Sequence, residues 1–269
     1  MTLFASLPMY NLLEMRPANA RFWEALRGLL IEAGVKDVPE TLIFERGPVP
    51  PRLEPEMLFS QTCGYPLETM FRGQAVRLGA PVYDAPGCIG ATHCAFFVVR
   101  ADSRALCIDD LKGGIFLLNS PMSNSGMNLP RRAVAEIAGG KPFFGAVIET
   151  GGHPASLNRL LGGDGDVASI DCVTYAFWRH YRPEAVARLR VVGETPPSPS
   201  IPFVTSIATP REIVEILRDA LRCVTTDLRY TAARAGLTIS GIEDVPDDAY
   251  RGLLDYEKQA AALGYPELR

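Results

Sequence analysis

Short apolar runs alternate along the chain with segments whose apolar residues recur every three or four positions, a pattern that predicts α/β architecture. Residues 3–9 predict a first strand. A helix is expected from Arg16 to about Ala33, with Phe22, Leu26, Leu29 and Ala33 on one face and Gly34 in the position of a left-handed cap. Residues 41–45 and 57–60 predict two further strands around a proline-rich loop. A helix follows Tyr65-Pro66, and residues 80–83 predict a short strand. Residues 90–100 read as one longer strand, suited to bridging two lobes.

The same grammar continues through the middle of the chain. Strands are expected at 115–118, 145–148, 167–169 and 186–192. Helices are expected from near Ser125 to Ala138, from Pro154 to Leu161 with His153 as N-cap, and from Asp171 to His180. Residues 193–202 carry four prolines and read as an extended connection leading to a second bridging strand at 203–205. Thr209-Pro210-Arg211-Glu212 has the T-x-x-E form of a capping box, and a last helix is expected over 247–263. Two bridges imply interleaved lobes, residues 1–90 with 203–269 forming one and 91–202 the other.

Composition narrows the function classes. A length of 269 residues suits one large or two medium domains at roughly 150 residues each. A net charge of −4 with interspersed signs offers no basic patch for nucleic acid, and no apolar run has the length of a membrane span. The first ten residues lack a basic, then apolar, export signal, so the expected location is cytoplasmic for the sequence as it stands and periplasmic if the start is truncated or engineered. Six widely spaced cysteines without C-x-x-C, and three histidines without H-x-x-x-H, favour reduced, mostly buried thiols and no metal or cofactor.

Candidate chemistry concentrates where strands feed helices, the usual place for ligands in open α/β sheets. After the strand at 115–118 comes Ser120-Pro121-Met122-Ser123-Asn124-Ser125-Gly126, a loop of hydroxyls, free backbone N–H groups and a glycine at a helix start. That composition suits an oxyanion, and equally a plain helix cap. Glu149-Thr150-Gly151-Gly152-His153 sets an imidazole at the next helix start, able to donate to an anion or to its own loop. Asp171 reads as an N-cap that could also receive a ligand N–H or O–H, with Tyr175 one turn on. Gln61, Thr62 and Tyr65 in Ser60-Gln61-Thr62-Cys63-Gly64-Tyr65-Pro66, and Tyr10 after the first strand, occupy matching junctions. Neither G-x-S-x-G nor a G-x-x-x-x-G-K-[ST] phosphate loop occurs.

Taken in order, S-Q-T-C-G-Y-P-L (60–67), S-N-S-G (123–126) with Pro130, E-T-G-G-H (149–153), D-V-A-S-I-D (166–171), Tyr256-Glu257 and Gly264-Tyr265-Pro266 resemble the phosphate, phosphite and phosphonate substrate-binding family of ABC transporters. The resemblance, of the periplasmic phosphonate-binding type, spans almost the whole chain. It implies a type II periplasmic-binding-protein fold: two α/β lobes with central mixed sheets, joined by two hinge crossings, closing over a small oxyanion. It implies that Ser123, Asn124, Ser125 and His153 hold the anion oxygens, that Asp171 receives an amino or hydroxyl substituent, and that Tyr10, Gln61, Thr62 and Tyr65 line the opposite lobe. Asn124 stands where threonine often sits, an amide in place of a hydroxyl. The expected function is therefore non-catalytic capture of a phosphonate, phosphate or phosphite in an interlobe cleft, linked to ABC-type uptake or sensing, with a permease as partner. The alternative is an enzyme on the same fold acting on a small carboxylate, of the menaquinone- or thiamine-precursor kind.

Overall fold

The computed structural model describes residues 2–269; Met1, part of the stretch read for an export signal, lies outside them. In chain order the first elements are β1 (Phe4–Ala5), α1 (Arg16–Glu32), β2 (Met57–Gln61), α2 (Gly64–Glu68), β3 (Ala75–Tyr83), β4 (Thr92–His93), β5 (Ala95–Arg100) and β6 (Ile115–Leu118). Then come α3 (Leu129–Ala138), β7 (Ala146–Glu149), α4 (His153–Gly162), β8 (Val167–Asp171), α5 (Cys172–Tyr181), α6 (Pro183–Val186), β9 (Leu189–Glu194) and β10 (Ser198–Pro199). The chain continues through β11 (Phe203–Ser206), α7 (Arg211–Thr226), α8 (Thr231–Ala235), β12 (Ile239–Glu243) and α9 (Asp247–Ala262). These elements form two compact units, and β4 and β10 pair as a separate two-stranded ribbon.

Among the described residues, unit 1 comprises residues 2–84, Ile89–Thr92 and Pro199–Asp247. Its sheet runs β1-β2-β11-β3-β12, parallel between β1 and β2 and antiparallel thereafter. The three-four spacing in α1 buries Phe22, Trp23, Leu26 and Leu30 on one face. That face meets the sheet through stacked rings, Trp23 on Phe59 at 5.7 Å and Phe22 on Phe203 at 5.7 Å, with Phe59 and Phe203 5.3 Å apart. Burying each such side chain stabilises the fold by about 1.5–3 kcal/mol.

Unit 2 comprises Ala85–Cys88, His93–Ser198 and Asp248–Arg269. Its sheet runs β7-β6-β8-β5-β9, with β7, β6 and β8 mutually parallel and β5 antiparallel to both β8 and β9. The carboxyl ends of three neighbouring parallel strands therefore lie side by side, and the loops that leave them converge.

Several elements differ from the sequence expectation. Residues 41–45 form no strand, only an isolated bridge between Leu42 and Ala5. The first strand shortens to Phe4–Ala5, and the bridging strand at 90–100 divides into β4 and β5. The strand expected at 186–192 starts at Leu189, because Pro183 opens a helical turn through Val186. The capping box does not form: Thr209 Oγ1 bonds Thr205 Oγ1 at 2.7 Å, and α7 starts after Pro210. Residues 248–269 belong to unit 2, whereas lobe 1 was expected to hold them. Asn128 donates to the Leu253 carbonyl at 2.9 Å, Arg131 to that of Pro266 at 3.0 Å, and the Phe143 N–H to that of Arg269 at 2.7 Å. Long-range polar contacts of this kind leave no local trace in the sequence. Among the described residues, no helix is long and apolar enough to cross a membrane.

Candidate functional site

In unit 2 the site is built from the ends of β6, β7 and β8. Beyond β6, Ser123 caps a helical start, its Oγ accepting the Gly126 N–H at 2.9 Å. The first turn is a wide π turn over Asn124–Asn128, in which the Asn128 N–H reaches the Ser123 carbonyl at 3.1 Å. Pro130, which has no N–H to give, sits just past it in the first turn of α3. Asn119, at the end of the apolar β6 run, accepts the Ser120 N–H at 2.8 Å on Oδ1 and turns Nδ2 toward His153 Nε2 at 3.3 Å. A Cβ on Gly126 would fall 1.7 Å from Asn119 Oδ1, so only glycine permits this packing.

Beyond β7, the Thr150 N–H bonds the Leu118 carbonyl at 2.8 Å, stitching this loop to the end of β6. Gly151 takes a left-handed φ of 92°. Gly152 is the N-cap of α4 and His153 its first helical residue, one place further in than expected. That step brings the imidazole to Ser125: Oγ and Nε2 lie 2.8 Å apart. Ser169 of β8 fixes the same turn from below, its Oγ donating to the Ser125 carbonyl at 2.7 Å.

Burial pushes the His153 imidazole down to about 4. The Asp171 carboxylate and the Ser169 backbone oppose this, and His93 adds to it. At neutral pH His153 is therefore an uncharged, hydrogen-bonding ring. Its Nδ1 is buried without a bonded partner. Asp171 ends β8 and caps α5, Oδ1 accepting the Thr174 N–H at 2.8 Å. Its Oδ2 is 2.7 Å from His93 Nδ1. Burial raises the Asp171 carboxyl, but His93, His153 and the Thr174 N–H together hold it below the ordinary carboxylate value.

Of the sequence candidates, the structure brings Ser125 and His153 into direct contact, with Asp171 close enough to act on the imidazole. Ser123 is occupied as a cap. Asn124 is drawn into a buried chain: its Nδ2 donates to Ser198 Oγ at 3.0 Å and its Oδ1 accepts from Asn128 at 3.1 Å. Asn128 Oδ1 in turn accepts from the buried Arg131 at 2.8 Å. Tyr175 packs edge-on against Phe96 at 5.8 Å, and burial raises its phenol. In unit 1, Tyr10 packs edge-on against Tyr83 at 5.4 Å, and Gln61 Nε2 donates to Tyr83 Oη and to the Ile201 carbonyl, both at 2.9 Å. Thr62 reaches the Pro48 carbonyl at 3.4 Å, and Tyr65 is buried in α2. A cavity of about 20 Å³ beside Gln61 and Thr62, lined also by Ser6, Ser60 and Arg46, has room for a water and not for a tetrahedral oxyanion.

Two further residues, Asn119 and His93, complete the site. Asn119 is a polar side chain ending an apolar strand, and His93 is a lone ring in a buried bridging run; position in the run was the available signal in both cases. Antiparallel pairing of β5 with β8 sets Ala95 opposite Asp171, which delivers His93 to the carboxylate. Asp171 bonds His93 rather than His153, so it does not serve the Ser125–His153 pair as the third group that would orient an imidazole base.

The family model described as ABC transporter, phosphonate, periplasmic substrate-binding protein matches residues 75–250. No curated protein matches the chain in sequence. Among solved structures, the chain is similar to a binding protein component of an ABC phosphonate transporter from Pseudomonas aeruginosa, with a TM-score of 0.74 and 17% identity over 97% of this chain and 88% of that one. It is similar to PhnD1 from Prochlorococcus marinus in complex with methylphosphonate, at TM-score 0.62 and 12% identity over 97% and 98% of the two chains. A protein from Xanthomonas citri bound to chloride ion matches at TM-score 0.68 and 15% identity over 98% and 99%. At these identities the likeness speaks for the fold, a type II periplasmic-binding-protein fold with mixed sheets.

Proposed function

The chain belongs to the periplasmic phosphonate substrate-binding family of ABC transporters, and from that premise we propose that unit 2 captures a small oxyanion of the phosphonate, phosphate or phosphite class. The family binds substrate for a transporter and is not catalytic; membership implies a small ligand and a permease partner. The observation that carries the ligand class is the Ser125–His153 contact of 2.8 Å at the start of a helical segment, beside the neighbouring ends of parallel strands. An entering oxyanion takes over that contact. The serine hydroxyl and an imidazole N–H turn to ligand oxygens, and backbone N–H groups of the turn add partial positive charge. No cationic side chain is required, which agrees with the acidic composition.

Calorimetry with phosphate, methylphosphonate and 2-aminoethylphosphonate tests the assignment. Ser125→Ala and His153→Ala should each weaken binding at least tenfold while the circular dichroism spectrum stays unchanged. Full-strength binding by both variants, or no oxyanion bound by the parent, removes the site. The part assigned to unit 1 is read separately from Tyr10→Phe and Thr62→Val, where undiminished affinity excludes those residues. Capture by lobe closure is proposed with it, and a radius of gyration that stays constant on adding ligand in small-angle X-ray scattering would remove that part alone.

A further inference from the structure

Asp171 is the acidic group to which an amino substituent of the ligand was assigned, and its surroundings speak against that role. The residue is 1% exposed and so is His93. One carboxylate oxygen is held by the Thr174 N–H at 2.8 Å, the other by His93 Nδ1 at 2.7 Å. The bond from Thr174 is the cap of α5 and cannot be given up without loosening that helix start. Displacing His93 would leave a ring buried without its partner, because its side chain is 2% exposed. An ammonium brought to Asp171 would also stand beside the imidazole that already shares the carboxylate. Asp171 is the carboxylate that acts on His153.

We infer that His93 sets the ligand class by occupying Asp171: the site takes oxyanions whose substituent is absent or uncharged, such as phosphite, phosphate or methylphosphonate, and rejects those bearing an ammonium, such as 2-aminoethylphosphonate. The inference rests on the oxyanion reading above. His93 acts as a positioning residue, through the carboxylate it holds and without touching the ligand itself. Asp171 stays ionised, buried and fixed in place, with both of its oxygens already engaged.

Competitive calorimetry on the whole chain separates the two ideas. The parent should bind methylphosphonate, phosphite or phosphate at least tenfold more tightly than 2-aminoethylphosphonate. His93→Leu releases the carboxylate and should narrow that ratio about tenfold, chiefly by improving the amino ligand. The double variant His93→Leu with Asp171→Asn should restore the parental rejection. His93→Asn, whose amide can replace the Nδ1 donor, should keep the parental ratio, and it stands in if the leucine variant does not fold. A parent that binds 2-aminoethylphosphonate as tightly as methylphosphonate overturns the inference and leaves the oxyanion reading intact. A ratio unmoved in His93→Leu overturns the role of His93. A parent that binds none of the four overturns the oxyanion reading itself.

Discussion

Lowering the pH from 7 to 5 should destabilise this protein through His153, by an amount set by the burial of its ring. In the unfolded chain the imidazole has its ordinary value of 6.5, and in the folded protein burial holds it at about 4. A depressed folded value favours the neutral ring. The resulting stability is complete above 6.5 and is lost as the pH falls toward 4, where the unfolded chain takes up a proton that the folded state refuses. Integrating the linkage between pH 7 and pH 5 gives a loss of about 2 kcal/mol, the upper end for a ring that is partly exposed. Urea unfolding of the parent and His153→Gln at both pH values isolates the contribution, because every other titrating group is common to the two. The parent should lose about 2 kcal/mol more than the variant; equal losses would refute the burial argument. Ligand binding is linked to the same ring. An oxyanion on Ser125 and His153 favours the protonated imidazole, so binding at pH 5 should be accompanied by proton uptake. Calorimetry in two buffers of different ionisation enthalpy reads that uptake directly.

Three substitutions probe the frame around the site. Gly126→Ala drives a methyl into Asn119 Oδ1 and should destabilise by about 3 kcal/mol, with oxyanion binding lost; a melting temperature within a degree of the parent would contradict the packing described. Asn128→Ala leaves the Leu253 carbonyl and a guanidinium N–H of Arg131 without their partner, and chemical unfolding should show about 3 kcal/mol lost. Phe59→Ala removes the ring between Trp23 and Phe203 in unit 1 and should lower stability by about 3–5 kcal/mol in the same measurement.

Much of this was legible before the structure, for physical reasons that differ between elements. The apolar runs of β2, β6 and β8 and the three-four pattern of α1 are local signals, and local signals survive in a sequence. The junctions at Ser125, His153 and Asp171 were readable because hydroxyls, glycines and caps cluster where strands meet helices. Strand β12 was not, since Ile239–Glu243 carries a glycine and a serine and gains its place by pairing with β3. The engagement of Asp171 was equally hidden. A carboxylate at a helix start looks the same whether it awaits a ligand or is held by a histidine 78 residues away. Asn124 looked like a donor to ligand, and only the fold reveals Ser198 as its partner.

The interleaving of the two units bears on how the protein is made. Unit 2 needs Asp248–Arg269, which leaves the ribosome after every segment of unit 1, and the buried chain from Asn124 through Asn128 and Arg131 ends on the carbonyls of Leu253 and Pro266. Domains that fold one after another during synthesis can each be finished before the next emerges. Here unit 1 can close once Asp247 is out, while the turn that carries Ser125 waits for residues 253–266. A nascent chain would thus hold a complete first unit while the turn that carries Ser125 still lacks its partners at Leu253 and Pro266.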